Sequence, residues 1–90
     1  MTRILIVDDH PVIRRGLREI IAEELPTATI GEAGDYPTAL QQLHSAPWEL
    51  VLLDINLPGR NGLELLEEIR RLQPRTRVLM VSAYPEEQFA

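Results

Sequence analysis

Residues 3–11 read RILIVDDHP, and this stretch, from Arg3 to Pro11, sets the fold class. Ile4, Leu5, Ile6 and Val7 follow one another without a polar residue between them. Alternation would mark a strand with one wet face, whereas an unbroken aliphatic run marks a strand covered on both. The run ends on two carboxylates, Asp8 and Asp9. Pro11 then opens a helix at no cost, because the first helical N–H has no partner to lose. A doubly covered strand that passes through an acidic turn into a helix is the first unit of a β-α-β chain.

The same unit recurs outward from there. Residues 11–24 place Val12, Ile13, Leu17, Ile20 and Ile21 at helical spacing, with Gly16 inside, where it costs about 1 kcal/mol relative to Ala unless close packing requires it. Residues 28–33 (ATIGEA) make a weak strand suited to a sheet edge. Asp35 is placed to cap a helix over 36–44 with Tyr36, Leu40 and Leu43 turned inward. Residues 49–53 (ELVLL) form a second buried strand. Asn61 and Glu64 have capping-box spacing for a helix over 62–73, which buries Leu65, Leu66, Ile69 and Leu72 and sets Glu67 four residues from Arg71. Residues 77–81 (RVLMV) are a third apolar strand, and Pro85 opens a further helix. Strands alternating with helices through right-handed crossovers predict an α/β fold, a parallel sheet with helices on both faces.

Composition narrows the function. The 90 residues carry a net charge of −5, a poor match for a nucleic-acid backbone, and direct nucleic-acid binding is not expected. No cysteine is present, which excludes thiolate metal sites and cysteine nucleophiles. The longest aliphatic run is four residues, far short of a membrane span, and the first residues are too short a lead for a signal peptide. All nine basic residues are arginine, and there is no lysine.

Ligands of open parallel sheets bind at the carboxyl ends of the strands. Asp8 and Asp9 end the first strand, Asp54 ends the third, and Ser82-Ala83 end the fourth. If the first and third strands are neighbours, three carboxylates converge. Such a cluster must take up protons or gather a cation. A small set of oxygen donors points to Mg²⁺, and the Ser82 hydroxyl beside the small Ala83 suits a phosphoryl oxygen. Taken singly, each residue has a plainer reading: Asp8-Asp9 as a polar strand end, Asp54 as a turn acid, Ser82 as a turn hydroxyl. Only together do they favour chemistry. His10 reads as an exposed residue at the helix start, Trp48 and Phe89 as packing residues, and Arg14, Arg15 and Arg18 as a solvated basic face.

These segments carry a resemblance. IVDDHP at 6–11, LLDINLPGRNG at 52–62 and VLMVSAY at 78–84 resemble the receiver domain of bacterial two-component response regulators, in particular receivers that precede a helix-turn-helix output domain. Asp54, Pro58 and Gly62 match the family's D-x-x-x-P-x-x-x-G loop pattern. The resemblance implies a flavodoxin-like (CheY-like) doubly wound sheet with strand order 2-1-3-4. It implies that Asp54 is the phosphoacceptor for a histidine kinase or phosphotransfer domain. Mg²⁺ would be held by the side chains of Asp9 and Asp54, by the Asn56 backbone carbonyl, and by Asp8 through a water. Ser82 and Ala83 would receive the phosphoryl group. A cytoplasmic signalling role follows, with output through a DNA-binding domain outside these 90 residues.

Receivers also place a lysine at the end of a fifth strand, followed by a fifth helix. The absence of lysine and the length predict a single domain over 1–90 that is incomplete at its C-terminus. Two other readings stand beside the leading one. A Mg²⁺-dependent phosphohydrolase of the haloacid-dehalogenase type needs an acid two residues after its nucleophile, where this chain has Asn56. A signalling-incompetent module would instead self-associate through the exposed edge of the fourth strand.

Overall fold

The computed structural model describes residues 2–55, 57 and 62–81. Four strands and three helices alternate along them: β1 (Arg3–Val7), α1 (Pro11–Glu24), β2 (Thr29–Ala33), α2 (Tyr36–Ser45), β3 (Leu50–Asp54), α3 (Gly62–Leu72) and β4 (Arg77–Val81). The strands form one parallel sheet in the order β2-β1-β3-β4, as expected. The helix expected from Pro85, the cap at Asn61 and the packing of Phe89 lie outside the described residues.

Central position explains which strands were easy to read. In β1, residues 4–7 are buried, and in β3 residues 51–54 are. Odd-numbered β1 residues Leu5 and Val7 join Val51 and Leu53 in a core with Tyr36, Leu43, Leu65 and Ile69 from α2 and α3. Even-numbered Ile4 and Ile6 join Leu52 on the opposite face, under Leu17 and Ile21 of α1. A strand that serves both cores has no polar position, and hence no alternation.

Two other expectations hold at the atomic level. The Asp35 carboxylate accepts the Thr38 N–H at 2.9 Å and caps α2, and that bond holds the Asp35 carboxyl below its usual range. Trp48 is buried, with its indole Nε1–H donating to the Gln42 carbonyl at 2.9 Å.

Four details differ. Val12 and Ile20 point outward and are 82% and 59% exposed, because only Ile13, Leu17 and Ile21 lie on the sheet-facing side of α1. Gly16 needs no close approach, since a Cβ there would meet nothing within 4 Å. Arg71 pairs with Glu68 at 2.7 Å, one residue nearer than the Glu67 partner its spacing predicts. Arg14 and Arg18 are not a free basic face: both reach Glu32 of β2, at 3.2 and 2.8 Å.

Candidate functional site

The register of β1 against β3 builds the site. Val7 pairs with Leu53, so the next residues, Asp8 and Asp54, leave the sheet side by side. Asp8 continues the sheet for one more bond, its N–H donating to the Ala33 carbonyl at 3.0 Å. The Arg14 guanidinium Nη1 donates to the Asp8 carbonyl at 2.7 Å and ties the first turn of α1 to the end of β1. Asp54 is fixed from its other side by Gly62. The Gly62 N–H donates to the Ile55 carbonyl at 2.8 Å, and a Cβ on Gly62 would lie 2.7 Å from the Asp54 carbonyl oxygen. The start of α3 therefore abuts the backbone of β3, and a side chain at 62 has no room.

Three carboxylates meet as the sequence predicted. The Asp8 and Asp54 side chains are 1% and 0% exposed, and Asp9 is 32% exposed. Burying a carboxylate costs several kcal/mol unless a positive charge or hydrogen bonds compensate. Here a fourth side chain supplies part of the compensation. His10 turns its ring inward: Nδ1 lies 2.7 Å from Asp8 Oδ1, 3.0 Å from Asp9 Oδ1 and 3.6 Å from Asp54 Oδ2. The backbone N–H of His10 donates to the same Asp8 Oδ1 at 2.7 Å. The hydrogen bond to Asp8, reinforced by the charges of Asp9, Asp8 and Asp54, holds the His10 imidazole protonated to a higher pH than an ordinary histidine.

His10 is exposed at the start of α1, as expected, but its ring nitrogen has a role that the reading did not foresee. About half of its ring is exposed, but the nitrogen is in the cluster. Periodicity carries no signal for it. The available signal was local: an Asp two residues before a residue that leads into Pro11 can accept that residue's N–H in an Asx-type turn, which folds the side chain back over the carboxylate.

Asp8, Asp9, His10 and Asp54 each offer one donor atom, all within 4.8 Å of one another. Asp8 Oδ2 is buried without a hydrogen-bond partner among the described residues. An orphaned carboxylate oxygen inside a compact oxygen-rich cluster fits a small divalent cation such as Mg²⁺. Asn56, Pro58, Ser82 and Ala83, the other site residues expected from the sequence, lie outside the described residues.

A parallel sheet of this order with carboxylates gathered at the ends of β1 and β3 defines the class: a CheY-like α/β module with an acidic pocket at its switch point. Comparison with known proteins agrees. The response regulator receiver domain family matches residues 4–90, and the chain belongs to that family. The transcriptional activator protein ExaE of Pseudomonas putida is 43% identical over 83 residues, covering 92% of this chain and 39% of ExaE. The chain thus spans about two-fifths of that relative's length. The response regulator TrrA of Thermotoga maritima, solved with Mg²⁺ and BeF, superposes with a TM-score of 0.84 at 38% identity, covering 99% of this chain and 76% of TrrA. TrrA in complex with the histidine kinase ThkA superposes at 0.82 and 40% identity, covering 94% of this chain and 72% of TrrA. Membership makes the chain a receiver domain of a two-component response regulator and sets aside the phosphohydrolase alternative. Among the described residues, no helix is long and apolar enough to cross a membrane.

Proposed function

We propose that this chain accepts a phosphoryl group on Asp54 from a phosphohistidine of a partner kinase or phosphotransfer domain. The observation that carries the reading is the burial of Asp54 within a cluster that also holds Asp8 and Asp9. Family membership and the TrrA–ThkA complex support the partner class.

In the transfer, an Asp54 carboxylate oxygen attacks phosphorus. The P–O bond forms, the P–N bond breaks, and the electron pair returns to the donor's imidazole. Little covalent chemistry falls to the protein, so positioning and charge neutralisation dominate. Mg²⁺, when bound, would supply charge neutralisation. Asp9 and Asp54 would hold it by their side chains, Asp8 through a water and Asn56 through its backbone carbonyl. In this reading the Ser82 hydroxyl would donate to a phosphoryl oxygen, with the small Ala83 next to it in sequence. Gly62, pressed against the Asp54 backbone, lets α3 start beside the acceptor, and Pro58 belongs to the family's loop pattern. The conversion of Asp54 to an acyl phosphate adds charge where α3 begins, and this is the signal passed to a transcriptional output in the cytoplasm. The similarity to a transcriptional activator supports that output.

These 90 residues contain no lysine to pair with the phosphoryl group, and uptake by them alone is expected to be weak. Incubation with acetyl phosphate and Mg²⁺, followed by intact mass analysis, tests the reading. The expected result is a substoichiometric, hydroxylamine-labile single adduct that Asp54→Asn abolishes. An undiminished adduct in Asp54→Asn, or none in the parent chain with either acetyl phosphate or a phosphorylated kinase, overturns it.

A further inference from the structure

Arg14 stands one turn into α1, and its charge is directed away from the acidic cluster. Its Nη1 donates to the backbone carbonyl of Asp8 at 2.7 Å, while the Asp8 carboxylate oxygen Oδ2 has no partner among the described residues. Its Nε donates to Glu32 Oε1 of β2 at 3.2 Å, and Arg18 Nη1 holds the other oxygen of Glu32 at 2.8 Å. The guanidinium lies over Gly34, where a Cβ would come within 2.8 Å of Nη1. The backbone N–H of Arg14 donates to the His10 carbonyl at 3.0 Å. Asp9 thus sits between two carbonyls, those of Asp8 and His10, that one residue holds.

Asp8 is 1% exposed and lies past Val7, the last residue of β1, so its carbonyl needs a donor from outside the strand. The guanidinium is planar and rigid, and anchoring Nε on Glu32 limits where Nη1 can point. A loose cation here would instead pair with the cluster carboxylates and compete with a divalent ion. Glu32 takes the charge of Arg14, and the Asp8 carbonyl takes its direction. We propose that Arg14 is a positioning residue of this receiver: anchored by Glu32 and seated over Gly34, it fixes the turn from Asp8 to His10, and so the direction in which Asp8 and Asp9 present their carboxylates to Mg²⁺. The inference rests on the reading of the cluster as the Mg²⁺ and phosphoryl site. Two effects of removing Arg14 oppose each other. Loss of a positive charge beside the cluster strengthens its attraction for Mg²⁺, whereas release of the turn weakens it, so the sign of the change in affinity separates positioning from charge alone.

The test uses the 90-residue chain. Mg²⁺ affinity is read from the backbone amide shifts of Asp9 and Ile55 in ¹⁵N–¹H NMR. Uptake on Asp54 is read by intact mass with acetyl phosphate across a Mg²⁺ series, and urea unfolding checks the fold. Three variants are compared with the parent: Arg14→Met, which keeps the aliphatic stem and removes the fork; Gly34→Ala, which keeps the fork and pushes it from its seat; and the two together. Arg14→Met is expected to weaken Mg²⁺ binding about 10-fold, the lower end of what a supporting partner of a ligand carries, and to shift the Mg²⁺ dependence of uptake by the same factor. Gly34→Ala is expected to weaken it in the same direction by less, and to add nothing in the double variant. A role in stability alone would move the urea midpoint and leave the Mg²⁺ affinity of the folded chain as it was. With an Asp54-dependent adduct still formed by the parent, unchanged or tighter Mg²⁺ binding in Arg14→Met, or a Gly34→Ala loss that persists in full in the double variant, overturns the inference alone. If Arg14→Met does not fold, Gly34→Ala decides by itself, and unchanged Mg²⁺ affinity there overturns the inference. A parent chain with neither Mg²⁺-dependent shifts nor an adduct overturns the reading of the cluster, and this inference with it.

Discussion

Trp48 is held through both its ring and its backbone, away from the acidic pocket. Its indole N–H is bonded to Gln42, its backbone N–H donates to the Gln73 side chain at 2.8 Å, and its carbonyl accepts the Thr76 hydroxyl at 2.6 Å. The Arg3 guanidinium stacks 5.4 Å from its ring centre. Gly31 of β2 makes room for that ring, since a Cβ there would come within 2.4 Å of Trp48 Cη2. The ring is hydrogen-bonded at its Nε1 and would meet the new Cβ at three of its carbons, so Gly31→Ala is an overpacking change. It is expected to cost about 1–3 kcal/mol, read as a lower urea midpoint with an altered Trp48 emission maximum. An unchanged midpoint would show that the indole can slide. The contrast with His10 explains what a residue-level reading can reach. Trp48 was legible as a packing residue because a large apolar ring between strands nearly always buries. His10 was not, because its direction is set by one loop's dihedrals (φ −99°, ψ 105°) and by a carboxylate two residues back, and neither leaves a periodic trace.

At the level of elements, the sequence was most informative where burial is two-sided and least where it is one-sided. β1 and β3 announce themselves as unbroken aliphatic runs because each feeds both cores. β2 is short on aliphatics because it is an edge strand, and the spacing of α1 overcounts its apolar face because one helix can turn only one stripe to the sheet. Gly16 shows the limit plainly. A glycine inside a helix has two explanations, close packing or tolerance, and the letters do not separate them. The structure does, with open space around the site of its missing Cβ. Gly16→Ala is therefore expected to stabilise the chain by about 0.5–1 kcal/mol, because Ala lowers the entropy of the unfolded chain and meets no clash in the folded one. Chemical unfolding measures it, and a loss of stability would reveal a neighbour over α1.

The two cores are unequal, and that asymmetry governs the behaviour of the whole molecule. Among the described residues, the face under α2 and α3 gathers twelve buried side chains, while the face under α1 gathers three. Leu79 of β4 pairs with Leu52 and shares the thinner face, where it is 55% exposed. β4 is hydrogen-bonded to β3 along one edge, and the other edge has no strand partner among the described residues. It also lacks the usual protections of an edge: Arg77 is its only charge, and no proline interrupts it. An apolar side chain on the open face, beside an edge with no strand partner among the described residues, favours association with a second copy of these 90 residues. Burying one leucine is worth about 1.5–3 kcal/mol, and each 1.4 kcal/mol is tenfold in a dissociation constant. Light scattering across a concentration series is expected to show a reversible dimer of the 90-residue chain. Leu79→Glu, which places a charge where the interface would close, should raise the dissociation constant roughly 10–100-fold while changing the unfolding midpoint of the dilute, monomeric chain little, because more than half of the side chain it replaces is exposed there. A chain that stays monomeric at high concentration, or a dimer indifferent to Leu79→Glu, would mean that this edge is covered from within the chain or that association uses another surface.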